Sequence, residues 1–173
     1  MSKKKKGDEP KPVRAMSQNM IVALAALTTV VYFFSNPKPQ NYYDYTFRVA
    51  GNLLGGSIGF AEKPPQWLNE FVPFEGLYYS VFPLGAVVSM VPFALLKTLG
   101  MIQAMPGGAL AALLAGCACF LLLKIASKYE LPPAKQILLT AGILFGTFTW
   151  TNMMFAGAWQ LALGFAMVGE LGA

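Results

Sequence analysis

The chain has 173 residues, 55% of them hydrophobic and 12% charged, with a formal net charge of +5, two cysteines and no histidine. A soluble domain carries about 25% charged residues, so the composition excludes a soluble enzyme, a disordered tail and a secreted disulfide scaffold. Without histidine there is no imidazole acid–base chemistry, and two cysteines without further ligands exclude a structural zinc site.

The first stretch, 1–18, holds Lys3, Lys4, Lys5, Lys6, Lys11 and Arg14 against Asp8 and Glu9, which accounts for most of the positive excess. It has no aromatic side chain to stack on a base, so nucleic acid is not the expected partner. Lysines directly before an apolar run mark a cytoplasmic tail under the positive-inside rule, one that can also touch anionic headgroups. The apolar run 20–35 ends in Tyr32-Phe33-Phe34, followed by Ser35 and Asn36-Pro37. The aromatics read as an interface belt and no A-x-A-like cleavage site follows. This is expected to be an uncleaved first membrane span with its N-terminus inside.

The long polar stretch, 36–77, is aromatic-rich and nearly neutral, and is expected to lie along the outer face. Four apolar segments follow: 78–97, 106–123, 136–155 and 157–173. If all of them span, Lys124, Lys128 and Lys135 fall outside, against the positive-inside rule. If 78–97, interrupted by Pro83 and Pro92, only dips into or lies on the membrane, the lysines return to the cytoplasm. The second topology is preferred. The expected fold is therefore all-α: a polytopic helical membrane protein of the bacterial plasma membrane, with domain 19–173 following the basic tail. In it, 36–105 forms an outer-face layer with two membrane-lying helices. Segment 157–173 carries Glu170 and stops without a polar flank, so the chain is expected to be cut inside its fifth hydrophobic segment.

Candidate chemistry begins at Asp44. Phe47, Ala50, Leu53 and Leu54 share one helical face, which predicts a short amphipathic helix on the membrane. Asp44 stands at its start, where the dipole favours an anion, and Arg48 is one turn on. Two readings are open: a capping aspartate with a local ion pair, or a lone carboxylate able to act as a base or hold a metal. Gly142 and Gly146 make a small-xxx-small face suited to close helix packing. Cys117 and Cys119 face apart on a helix and read as small apolar residues, not as a redox pair.

Asp44, Ala50, Leu54-Gly55, Glu75-Gly76-Leu77-Tyr78-Tyr79 and Phe82-Pro83-Leu84-Gly85 together resemble the N-terminal part of a GT-C-type membrane glycosyltransferase. Phe145-Gly146-Thr147-Phe148-Thr149-Trp150 adds to the likeness, which covers about 30–155. The resemblance implies transfer of a sugar from a polyprenyl-phosphate donor to an acceptor hydroxyl, on an outer loop of two juxtamembrane helices. The Tyr-Tyr…Pro element would open the second of them. It implies Asp44 as the catalytic base or a metal-holding carboxylate. Arg48, Tyr78, Tyr79 and Glu75 would be the substrate contacts. The family often places a second acid beside the first; here Tyr45 stands there, leaving Glu62 or Glu75 as the candidate and a divalent cation as an open expectation. The alternative from a different class is a small non-catalytic subunit of a larger membrane complex.

Overall fold

The computed structural model describes residues 16–36, 43–66, 68, 70–129 and 131–173. The basic residues of the tail before Met16 lie outside the described residues. Helix predominates, and two helices are long and apolar enough to cross a membrane: α1 (Gln18–Ser35) and α5 (Gly107–Lys128). Ser17 begins α1, its hydroxyl accepting from the Met20 amide at 3.3 Å, one of the orphan donors of a first turn.

Helices α1 and α5 are antiparallel neighbours. At one end Lys124 Nζ donates to Gln18 Oε1 at 3.3 Å; at the other, Gly108 lies against Asn36. Between them a Cβ placed on Gly116 would collide with the Thr29 hydroxyl and stand 3.1 Å from the Ala25 carbonyl oxygen. Glycine at 116 is what lets these backbones approach. α5 is the central helix, with 56% of its apolar window buried, whereas α1 buries 17% of its own. α1 is therefore peripheral, and most of its apolar surface faces outward.

The stretch expected to be one helix over 136–155 is two. α6 (Pro133–Gly146) and α7 (Phe148–Phe155) meet at an angle of 54°. Thr147 makes the break. Its backbone is extended, its hydroxyl donates back to the Ile143 carbonyl at 2.6 Å, and the same oxygen accepts from the Thr149 amide at 3.2 Å. One side chain thus closes α6 and caps α7. Ala156, in the left-handed conformation (φ 51°), then turns the chain into α8 (Ala158–Gly172), whose Gly164 packs on Leu114.

Residues 43–105 form a layer at the Asn36–Gly108 end of the bundle, and this layer departs from the all-α expectation. It holds α2 (Tyr45–Leu54), α3 (Leu84–Val88) and α4 (Val91–Thr98), three helices rather than two. It also holds a small antiparallel sheet of β1 (Gly59–Phe60), β2 (Phe71–Phe74) and β3 (Leu77–Ser80), in the order β1-β3-β2. Tyr78 and Tyr79 therefore lie in the central strand, paired with Phe60 and Gly59, and do not open a helix. Glu75 (φ 47°) and Gly76 (φ 81°) form the two-residue turn joining β2 to β3. Two consecutive positive φ values are what a type I′ hairpin turn requires. Pro73 is tolerated because β2 is an edge strand.

The prolines of 78–97 do not kink a helix. Pro83 precedes the first residue of α3 and Pro92 stands in the first turn of α4, where a missing N–H is no loss. Together α3 and α4 cover only 84–98, short of the roughly 20 residues a span needs.

Candidate functional site

Asp44 occupies the N-cap position of α2, and its carbonyl accepts from the Arg48 amide at 3.0 Å. Its carboxylate does not cap the helix. It turns instead to Arg48, whose Nε donates to Oδ1 at 2.7 Å. Asp44 is largely shielded while Arg48 is half exposed, and theirs is the only ion pair among the described residues. A pair with one partner that exposed contributes at most about 1 kcal/mol.

The expected amphipathic face of α2 is only half right. Phe47 and Ala50 are buried, but so are Tyr45, Thr46 and Val49 on other faces, while Leu53 and Leu54 are exposed. Burial is concentrated in the first half of α2, where Arg48 alone is exposed. The helix packs against α3, α4 and α8, and most of its second half is exposed.

Arg48 lines a cleft of about 450 Å³ with Phe47, Asn52, Glu62 and Lys97. Lys97 Nζ sits 5.5 Å from the Phe47 ring centroid, a favourable cation–π placement. A smaller recess of about 100 Å³ continues past Arg48 to Glu62 and Lys63. Counting Arg48 itself, three basic groups stand against Asp44 and Glu62, a single excess positive charge that suits an anionic group such as a phosphate.

Of the residues singled out by sequence, Arg48 and Glu62 share this cleft, and Asp44 joins them through Arg48. Glu75, Tyr78 and Tyr79 do not line it. Glu75 is exposed at the hairpin tip, and Tyr79 packs on Phe74 with ring centroids 6.2 Å apart. Among the described residues no group of three or more Asp, Glu, Cys or His could hold a metal ion.

A second cavity lies across Tyr45 from the smaller recess. It measures about 300 Å³ and is lined by Tyr43, Tyr45, Phe82, Phe155 and Trp159, with Glu70 at its polar side. Phe82 and Trp159 have ring centroids 4.7 Å apart, Tyr43 and Phe155 5.2 Å, and Tyr45 stacks on Phe82 at 6.3 Å. The start of α8 is tied to the layer by the Ala158 amide, which donates to the Tyr43 carbonyl at 2.7 Å. Trp159 Nε1 donates to Glu70 Oε1 at 3.4 Å, a long bond. Burial pushes the Tyr45 phenol above its ordinary value, with nearby Arg48 opposing the shift.

Sequence reasoning missed this cavity. Phe155 and Trp159 belong to the last apolar segments, more than a hundred residues from Tyr43. The one local signal was Trp159-Gln160, a polar-tipped pair at the start of an otherwise apolar helix. In comparisons with known proteins, no family model matches the chain, and neither a curated protein nor a solved structure matches it.

Proposed function

We propose that this chain is an integral membrane glycosyltransferase, or the N-terminal part of one, taking a sugar from a polyprenyl-phosphate donor at the outer membrane face. The observation that carries the reading is the placement of the Asp44–Arg48 pair. It stands beside a cleft lined by Arg48 and Lys97, in a layer that covers one end of the long apolar helices. In this reading Arg48 and Lys97 hold the donor phosphate. Asp44 takes the proton from the acceptor hydroxyl as that oxygen attacks the sugar carbon, and the phosphate leaves with the bonding pair.

The preferred topology draws support from the bundle. Gln18 and Lys124 meet at the same end, so the start of α1 and the lysine-bearing 124–135 connection fall at one end of the bundle, and 43–105 at the other. That pattern agrees with a cytoplasmic N-terminus. Labelling checks it in a Cys117→Ser, Cys119→Ala background: a cysteine replacing Lys63 should react from outside and one replacing Lys128 only from inside.

For the chemistry, Asp44→Asn should abolish sugar transfer in membranes while leaving insertion and thermal unfolding unchanged. Undiminished transfer sinks the assignment. It would favour the second reading, a non-catalytic subunit, whose support is that the Asp44 carboxylate is engaged by Arg48 as in an ordinary local ion pair.

A further inference from the structure

The aromatic cavity between α2, the 70–82 segment and the α7–α8 corner has an electrostatic character opposite to the Arg48 cleft. Among the described residues, Glu70 is the one acidic residue lining it, and no lysine or arginine does. Among the described residues Glu70 forms no ion pair, and its only side-chain hydrogen bond is the 3.4 Å contact from Trp159. Five aromatic side chains make up most of the remaining wall, with Leu68, Ala158 and Gln160 completing it, and ring faces carry negative quadrupole potential.

We propose that this cavity binds an alkylammonium group. Each alternative ligand class leaves something unsatisfied. An anion would face Glu70 and the ring faces together. A neutral ligand would cover the carboxylate while leaving it a single long hydrogen bond from protein, which is unfavourable. A small inorganic cation would find one carboxylate and few other oxygens to replace its hydration shell, far from the six to eight oxygens a calcium ion takes. An organic ammonium is weakly hydrated, gains from ring faces and carboxylate alike, and presents apolar methyl or methylene groups to Phe82 and Phe155. The volume of about 300 Å³ accommodates a headgroup-sized ligand. The group can arrive on a zwitterionic lipid headgroup or on a soluble amine. The inference rests on this cavity alone and stands or falls separately from the Asp44 chemistry.

The test is calorimetric titration of the full chain, in an uncharged maltoside detergent, with tetramethylammonium chloride against sodium chloride at matched ionic strength. Tetramethylammonium should bind saturably and sodium should not. Glu70→Gln should weaken binding at least about tenfold, the equivalent of losing about 1.4 kcal/mol. Trp159→Leu, at a half-exposed position, removes one ring without touching the charge and should weaken it several-fold, which keeps the test decisive if Glu70→Gln fails to fold. Absence of saturable binding, or equal binding in Glu70→Gln and the parent, overturns the proposal. The source is read by repeating the titration in phosphatidylglycerol vesicles with and without phosphatidylcholine. Competition by the choline lipid identifies a headgroup, and undiminished tetramethylammonium binding identifies a soluble amine; both outcomes uphold the ammonium site.

Discussion

Helix α1 and the layer of residues 43–105 meet their surroundings in different ways. Along α1 only Ile21, Thr28 and Tyr32 are buried, and Leu27, Phe33 and Phe34 stand well exposed. Its contact with α5 runs through small side chains and the glycine at 116. The layer is held instead by interlocked aromatic rings and by backbone pairing in a small sheet. Tyr45 alone meets Phe71 and Phe82 at 5.9 and 6.3 Å. The difference teaches where each region draws its stability. Where such helices lie in a bilayer, apolar surface facing lipid gains nothing by being covered, and close approach is what holds them together. A layer bordering water gains from each ring it buries.

Four experiments sharpen or break that contrast. The largest effect is expected in the layer: Phe47 is 2% exposed, and Phe47→Ala should destabilise by about 3–5 kcal/mol. Thermal unfolding in detergent checks this, and a loss comparable to that of an exposed-site variant would show that the layer's rings are not its core. Next comes the bundle. Gly116→Val should cost about 1–3 kcal/mol by forcing α1 from α5, visible as a lowered unfolding midpoint. An unchanged midpoint would mean that the close approach does not matter.

Gly142→Ala should behave in the opposite way. No heavy atom stands within 4 Å of a Cβ built at Gly142 or Gly146, so the packing face expected from their spacing has no partner here. Replacing Gly142 within α6 should be neutral or stabilise by up to roughly 1 kcal/mol. A loss would reveal a neighbour that packs there. The smallest effect is a pH dependence. The buried Tyr45 phenol ionises above its ordinary value of 10.0, so the unfolded chain loses that proton first as pH rises. The contribution is complete below pH 10.0 and declines above it. Tyr45→Phe should therefore flatten the fall of the unfolding midpoint between neutral and strongly alkaline pH; identical slopes would argue that Tyr45 is hydrated.

How much was legible depended on how local each signal was. The spacing of Asp44 and Arg48 on one helical turn foretold their ion pair, because i,i+4 geometry follows from the helix alone. The Glu75-Gly76 hairpin was written in the sequence between two short aromatic-rich runs. It was masked by Pro73, which argues against a strand unless the strand lies at an edge. Tyr32 was placed with Phe33 and Phe34 at an interface. In the structure it turns inward, its hydroxyl donating to the Leu144 carbonyl and its ring 4.8 Å from that of Trp150, while the two phenylalanines remain outside. Composition around Tyr32 cannot distinguish these, because the partner lies on α6, more than a hundred residues on.

By itself the sequence determined the largely helical, apolar character of the chain and the apolar runs that become its two long helices. Both follow from hydropathy over a window. Only the tertiary structure decided that 78–80 pairs as a strand, that Thr147 divides α6 from α7, and which charges meet which rings. Arg48 and Lys97 come together through the packing of α2 on α4. Tyr43, Phe82 and Trp159 come together because the α7–α8 corner docks on the layer. Those juxtapositions join residues tens to more than a hundred positions apart, and no local periodicity records them.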